Sequence, residues 1–302
     1  MRISALALSV AAVLAGGCDL TRFTADSTVN LFERAAPAFN EHWDYEFAGQ
    51  AAPGSILQLE GIWRVTPDNE TLILEIAKSY TGYAYGWIED ELERVDPMDF
   101  EREEHLRTRA RLMYLRARNF AFRRIRLEED GFDEARAGAL PEFERWLREN
   151  FDDEEDAPML LWAGYSWGSA INVSRDDPML IADIGYTKAL VARSVELDPT
   201  YYNAAGLTFM GVITSEELGG DPEGAVAHFD RALEITDRRM LLIQYNYARS
   251  YAVRTQNREL FDRLLDEVEE AGDILPAARL ANKIAKRRAR RLRAQADDLF
   301  AQ

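Results

Sequence analysis

Residues 159–199 read MLLWAGYSWGSAINVSRDDPMLIADIGYTKALVARSVELDP, and the pattern is that of two antiparallel helices. The first spans about 17 residues, roughly 25 Å at ~1.5 Å per residue. It mixes aromatic with small side chains, Trp162, Ala163, Gly164, Tyr165, Trp167, Gly168 and Ala170. Small residues at helical spacing let a neighbouring helix come close, and the large rings fill what space is left. Arg175-Asp176-Asp177-Pro178 breaks the helix, because the residue before a proline is pushed out of the α region. Asp177 caps the next helix with Pro178 at its first position, and that helix closes on Glu196-Leu197-Asp198-Pro199.

A small-residue helix, a tight turn and an amphipathic helix ending in ELDP form the signature of a tetratricopeptide-type hairpin. The unit recurs faintly. Arg193-Ser-Val-Glu196 aligns with Arg231-Ala-Leu-Glu234, 38 residues on, and more weakly with Arg263-Leu-Leu-Asp266. Such repeats stack and bury one another's apolar faces. Ala225, Val226, Phe229, Ala232 and Leu233 share one helical face after a Gly219-Gly220-Asp221-Pro222 turn and cap. Upstream, Leu72–Leu92 reads as a strong helix of similar texture, with Asp68 or Asn69 as its cap. Gly49–Gly54 reads as a turn, and Asp96-Pro97 as the start of a long helix to about Leu127. No stretch alternates as a strand does, so the expected fold is all-α, with stacked helical hairpins in a tetratricopeptide-like superhelical repeat.

The chain has 302 residues, 47% of them hydrophobic, and a formal charge of −17. That balance argues against nucleic acid as a partner, which needs a dominant basic face. The acid excess is uneven. Residues 128–156 are acidic, whereas Arg279–Arg293 holds eight Lys or Arg and no acid. This basic helix has three possible counterparts, the 128–156 region, an acidic partner or anionic lipid, and pairing within the molecule is favoured. The single cysteine, Cys18, follows a basic Met1-Arg2, an apolar run Ile3–Leu14 and Ala15-Gly16-Gly17. That run is too short to span a bilayer but suits a signal peptide. Small residues ending at a cysteine resemble a bacterial lipobox, with lipid on Cys18. Ala15 departs mildly from the usual leucine. The expected division is a signal peptide over 1–17, a lipid-anchored tether and N-terminal helix over 18–50, and a helical-repeat domain over 51–302.

Catalytic readings fail on context. Gly164-Tyr165-Ser166-Trp167-Gly168 matches G-x-S-x-G, but that motif works only as a strand-to-helix turn with a histidine later in the chain. Here the surroundings read as helix, and the only later histidine, His228, lies within an amphipathic helix. His42, His105 and His228 have no metal-ligand spacing. No catalytic residue, metal site or cofactor is expected. What remains is a binding surface. Tyr83, Trp87, Trp162, Tyr165 and Trp167 combine apolar bulk with a polar tip suited to a half-wet groove. Asn172, Tyr245 and Asn246 are the polar candidates.

The strings WAGYSWGSAINVSRDDPMLIAD and ARSVELDPTYYNAA, with GIWRVTPDNETLILEIAKSYTGYAYGW at 61–87, GGDPEGAVAHFDRALEIT at 219–236 and RLANKIAKRRARRL at 279–292, resemble the TatT family. These are the lipoprotein components of tetratricopeptide-associated TRAP (tripartite ATP-independent periplasmic) transporters. The resemblance covers nearly the whole mature chain. It implies a non-enzymatic accessory that faces the periplasm, forms a homotrimer and carries a cleft or pore in each protomer. It implies two partners besides the membrane: the solute-binding P component and a small hydrophobic or organic-acid ligand. The alternatives from other classes are a generic tetratricopeptide scaffold for envelope-protein assembly and a serine hydrolase built on Ser166.

Overall fold

The computed structural model describes residues 17–216 and 221–300. The expected signal peptide up to Gly16 and the Gly219-Gly220 turn lie outside them. The described residues form helices and connecting turns and contain no strand. In chain order the helices are α1 (Gly17–Asn40), α2 (Tyr45–Trp63), α3 (Glu70–Tyr83), α4 (Phe100–Glu128), α5 (Phe132–Ala137), α6 (Leu140–Asn150), α7 (Ala157–Asn172), α8 (Ile184–Leu197), α9 (Tyr201–Glu216), α10 (Pro222–Ile235), α11 (Leu241–Asn246), α12 (Arg258–Glu270) and α13 (Arg279–Ala294). Successive long helices pack on one another: α3 on α4, α4 on α7, α7 on α8, α9 on α10. With short connections, such neighbours run antiparallel. A tetratricopeptide-like repeat is compatible with this stacking.

The caps follow the side chains. Asn69 Oδ1 accepts from the Leu72 amide at 2.9 Å, opening α3. Asp177 accepts from the amides of Met179 and Leu180 at 3.1 and 3.3 Å, but it opens only a short helix, Pro178–Ile181, and the helix that closes on ELDP starts separately at Ile184. Asp221 accepts from the Glu223 amide at 3.1 Å. Each satisfies donors the helix leaves orphaned, a contribution of about 1 kcal/mol. The long helix α4 starts later than the Asp96-Pro97 signal suggested. Asp99 is its cap, accepting from Arg102 at 3.0 Å, and Asp96 instead caps the preceding turn.

Helices α7 and α8 pack as the sequence implied. A Cβ on Gly164 would stand 2.6 Å from Val191 Cγ2 and 2.8 Å from the Thr187 carbonyl, so only glycine permits this approach. Ser166 is buried in mid-helix, its hydroxyl donating to the Trp162 carbonyl at 2.5 Å. That is helix packing, not the exposed turn of a nucleophile elbow. The repeated Arg-x-x-Glu string makes the same pair twice, Arg193–Glu196 at 2.7 Å and Arg231–Glu234 at 2.5 Å.

Gly49–Gly54, expected as a turn, lies inside α2. Gly49 is there for space, because a Cβ would collide with the Trp87 indole. Leu72–Leu92 is helical throughout but not uniformly α. After α3 it passes through a π-helical turn, Ala84–Ile88, before a last α turn, Glu89–Leu92. A second π turn, Tyr247–Ala252, follows α11.

Two large apolar cores and two smaller clusters result, one of the smaller formed by Ile88, Leu106, Tyr114 and Val173. One large core gathers α3, α4, α6, α7 and α8 around Trp167, Phe122 and Phe143, and the other gathers α9–α13 around Phe229, Phe261 and Leu265. Leu161, Val191, Phe209 and Met210 join them. The basic helix α13 then returns to the start of the chain. It packs on α1 and α2 and pairs with carboxylates in and just past the α turn that follows α3, Asp90 and Glu93, not with residues 128–156. That acidic region has nearer cations: Arg124 holds Glu128 at 2.7 Å and Arg126 holds Asp133 at 2.7 Å.

Candidate functional site

The return of α13 creates a buried ionic seam. The Asp90 carboxylate is fully buried and pairs with Arg287 at 2.9 Å and Arg291 at 2.7 Å. Arg291 also holds Glu93 at 2.6 Å. Burial pushes the Asp90 carboxyl up, but Arg287 and Arg291 outweigh it and hold the group below its ordinary value. Arg288, 1% exposed, donates to the Tyr85 carbonyl at 2.6 Å, stands 4.0 Å over the Tyr85 ring, and lies 3.6 Å from Glu93 and 3.9 Å from Glu89. Arginine suits such a place, since its planar fork is weakly hydrated and stacks on rings. Glu89 accepts from the buried Tyr114 hydroxyl. Burial dominates there and raises the Glu89 carboxyl above its usual range, against the opposing pull of Arg288.

Beside the seam is a cleft of about 400 Å³ between the end of α3, the end of α7, the end of α9, the second π turn and α13. Its charged walls are Glu89, Glu93, Glu216, Arg107, Arg175 and Arg249, with Asn172 among them. Arg175 pairs with Glu216 at 2.5 Å and donates to Asn172 Oδ1 at 2.5 Å. Arg107 pairs with Glu103, one turn earlier on α4. The second π turn brings Arg249 to this region, and the α turn that follows the first brings Glu89 and Leu92. A π turn carries one extra residue per hydrogen-bonded loop and redirects the side chains beyond it, a distortion frequent at functional sites.

A second aromatic group lies where α7 meets the start of α9. Trp162 Nε1 donates to the Tyr201 hydroxyl at 3.1 Å, and the Tyr202 ring meets Trp162 edge-on at 4.8 Å. Tyr202, Asn203 and Ala204 have φ of 50°, 56° and 58°, a left-handed turn that costs about 1–2 kcal/mol per residue. Tyr202 remains 44% exposed, yet desolvation raises its hydroxyl. Tyr165 extends this group, its ring 5.9 Å from Trp162 and 5.3 Å from Phe209. A shallower apolar depression of about 680 Å³ lies between α1 and α2, beside Leu20, Phe32, Ile62 and Val65.

The residues singled out in the sequence divide by place. Asn172 is in the cleft wall, and the buried Tyr245 lies within electrostatic range of Arg249 there. Trp162 and Tyr165 belong to the second aromatic group. Tyr83 and Trp87 stack on each other at 5.9 Å, with Tyr45 on the far side of Trp87 at 5.4 Å. That ladder fastens α2 to α3. Trp167 is 1% exposed against Phe122, and Asn246 donates to its own helix at the Leu242 carbonyl. Sequence reasoning missed Arg249, Glu89, Glu93 and Arg288. The available signal was the cluster Glu89-Asp90-Glu91 with Glu93 on an aromatic helix, opposite in charge to the basic α13. Among the described residues no group of three His, Cys, Asp or Glu side chains is arranged to hold a metal ion, and no helix is long and apolar enough to cross a membrane.

Fold and cleft define an all-helical protein whose basic helix α13 closes back on its N-terminal half beside a polar cleft. The family described as TRAP transporter T-component matches residues 41–300, and the chain belongs to that family. It is thereby an accessory component of a transporter associated with the cell envelope. A protein of Treponema pallidum (strain Nichols), itself described only as uncharacterized, is 23% identical over 267 residues, 87% of this chain and 82% of that protein.

Proposed function

We propose that the chain is the lipid-anchored, periplasm-facing T component that docks the solute-binding P component of a TRAP transporter and receives a small ligand in its cleft. The single observation that carries the ligand half is the cleft itself: about 400 Å³, with a charged wall and apolar surface from Leu92, Val173, Val253, Leu292 and Leu299. Pockets of this size with few placed polar groups suit small molecules. The anchor rests on the sequence around Cys18, with residues 1–17 removed as a signal peptide, 18–50 as tether and first helices, and 51–302 as the helical-repeat body. Two or three acyl chains, at ~0.8 kcal/mol per buried methylene, hold a protein at a membrane essentially permanently. A homotrimer draws support from the apolar side chains that α1 and α2 leave exposed, among them Phe23, Leu31 and Leu57 at 69%, 66% and 67%. Exposed large apolar side chains are the raw material of an interaction site when they cluster.

The test is affinity capture with the tagged full chain from detergent-solubilised envelope mixed with periplasmic extract. A periplasmic solute-binding protein among the captured partners is the expected result. Recovery of envelope-assembly proteins alone would replace the accessory reading with the tetratricopeptide scaffold.

A further inference from the structure

Helix α1 joins the body along one side. It packs on α2, α3 and α13, with Val29 buried in the first core. Asp26 fixes its rotation by accepting from the Thr66 hydroxyl at 2.6 Å and the Asn69 side-chain amide at 2.8 Å. The opposite side is exposed along its length. Leu20, Phe23, Ser27, Leu31, Ala35 and Ala38 are all exposed and follow one another three or four residues apart, the spacing of a single helical stripe. None of the six is charged, in a chain of formal charge −17. Arg34, exposed on the same side, can hold its guanidinium at headgroup depth while its stem lies in an apolar layer. Trp43, 68% exposed just past the end of α1, is a residue type that settles at lipid–water interfaces.

We propose that α1 lies in the interfacial layer of the anchoring membrane, its outer stripe inserted among the lipids beside the acylated Cys18. The proposal deepens the anchor half of the function above and rests on that reading. The reason is the length of the connection. Helix α1 already includes Cys18, so no flexible segment separates the lipid-bearing residue from the folded body. Lipid on Cys18 holds the first turn of α1 at the headgroups, and Leu20 follows two residues on. From Cys18 to Leu31 the axis covers ~20 Å at ~1.5 Å per residue. The body therefore either pivots about its anchor or lies with the stripe along the surface. Leu20, Phe23 and Leu31 are 66%, 69% and 66% exposed, and withdrawing them from water favours the second arrangement. Contact between copies then falls to the exposed side chains of α2, Leu57 among them.

Cys18 is the only cysteine of the chain, so once acylated it leaves an introduced cysteine as the sole reactive thiol. The full acylated chain carrying Leu31→Cys is labelled with a nitrobenzoxadiazole fluorophore and reconstituted into phosphatidylcholine vesicles with and without doxyl-labelled lipid. Met98→Cys, at an exposed apolar position outside α1, is the reference. The label at position 31 should shift to the blue on reconstitution and lose intensity to the doxyl lipid. The label at position 98 should do neither. Phe23→Cys should repeat the result at 31 and keeps the test valid if Leu31→Cys fails to fold. Water-like emission at 31, equal to that at 98, would overturn the proposal in favour of a body that pivots on its anchor. A blue shift at 31 without quenching by doxyl lipid would overturn it too, assigning the stripe to a second copy of the chain. Either result with Cys18 acylated removes the inserted helix and keeps the anchor. A Cys18 thiol that still reacts in the membrane-isolated chain removes the anchor reading itself, and the proposal with it.

Discussion

The α7–α8 hairpin and the α3–α13 seam are both buried helix contacts, made by opposite means. The hairpin brings neighbours in sequence together through Gly164, with Val191 and Leu190 filling the space. The seam joins segments about 200 residues apart through Asp90, Glu93, Arg287, Arg288 and Arg291. Apolar contact is additive and tolerant of small shifts. Buried charge is neither, because desolvation is recovered only when the partners are in place. The hairpin thus forms from local information. The seam forms only once the rest of the chain has delivered α13 to α3, and its cooperative closure shapes the cleft beside it.

The largest expected effect tests the seam. Arg288→Ala strips Glu89 and Glu93 of a buried partner and should cost about 3–5 kcal/mol, the range for breaking a buried ion pair on one side. The measure is urea unfolding followed by helical circular dichroism. A loss below about 1 kcal/mol would mean that water reaches the seam and that the contrast with the hairpin is false. Next in size is the hairpin itself. Gly164→Val forces a side chain into Val191 and the Thr187 carbonyl, an overpacking that should cost about 1–3 kcal/mol. Thermal unfolding unchanged by this substitution would show that α7 and α8 can part without penalty.

The smallest effect separates the two carboxylates of the seam. Glu89 has its folded pKa raised by burial above an ordinary value of 4.5, so above that pH the native state holds the proton more tightly than the unfolded chain. Stability then falls as pH rises through this window. Glu89→Gln should abolish that fall, a difference of at most ~1.4 kcal/mol per pH unit. Asp90, lowered from 3.8 by Arg287 and Arg291 despite its burial, works in the other direction. Its stabilisation is complete above 3.8 and is lost as pH drops further. Identical pH profiles for Glu89→Gln and the unaltered chain would show that burial does not govern Glu89.

Much of the candidate site was out of reach of sequence reasoning for the reason this contrast exposes. Aromatic richness pointed to Tyr83, Trp87 and Trp167, yet an aromatic ring serves a helix ladder or a core as readily as a groove. Only contacts distinguish these uses: Trp87 lies against Gly49 and Tyr45, and Trp167 against Phe122. Arg249 carried no signal at all, being one arginine among many. The π turns were equally hidden, since Leu72–Leu92 reads as unbroken helix.

The sequence alone determined the all-α fold, the boundaries set by Asn69 and Asp221, the glycine contact of the central hairpin and the family resemblance. These depend on neighbours three or four residues away, or on turn chemistry, both of which are written locally. The tertiary structure alone decided which acids α13 would meet and where the cleft would open. Pairing of charges across about 200 residues has no period in the sequence, and it is fixed only when packing brings the two helices within a few ångströms.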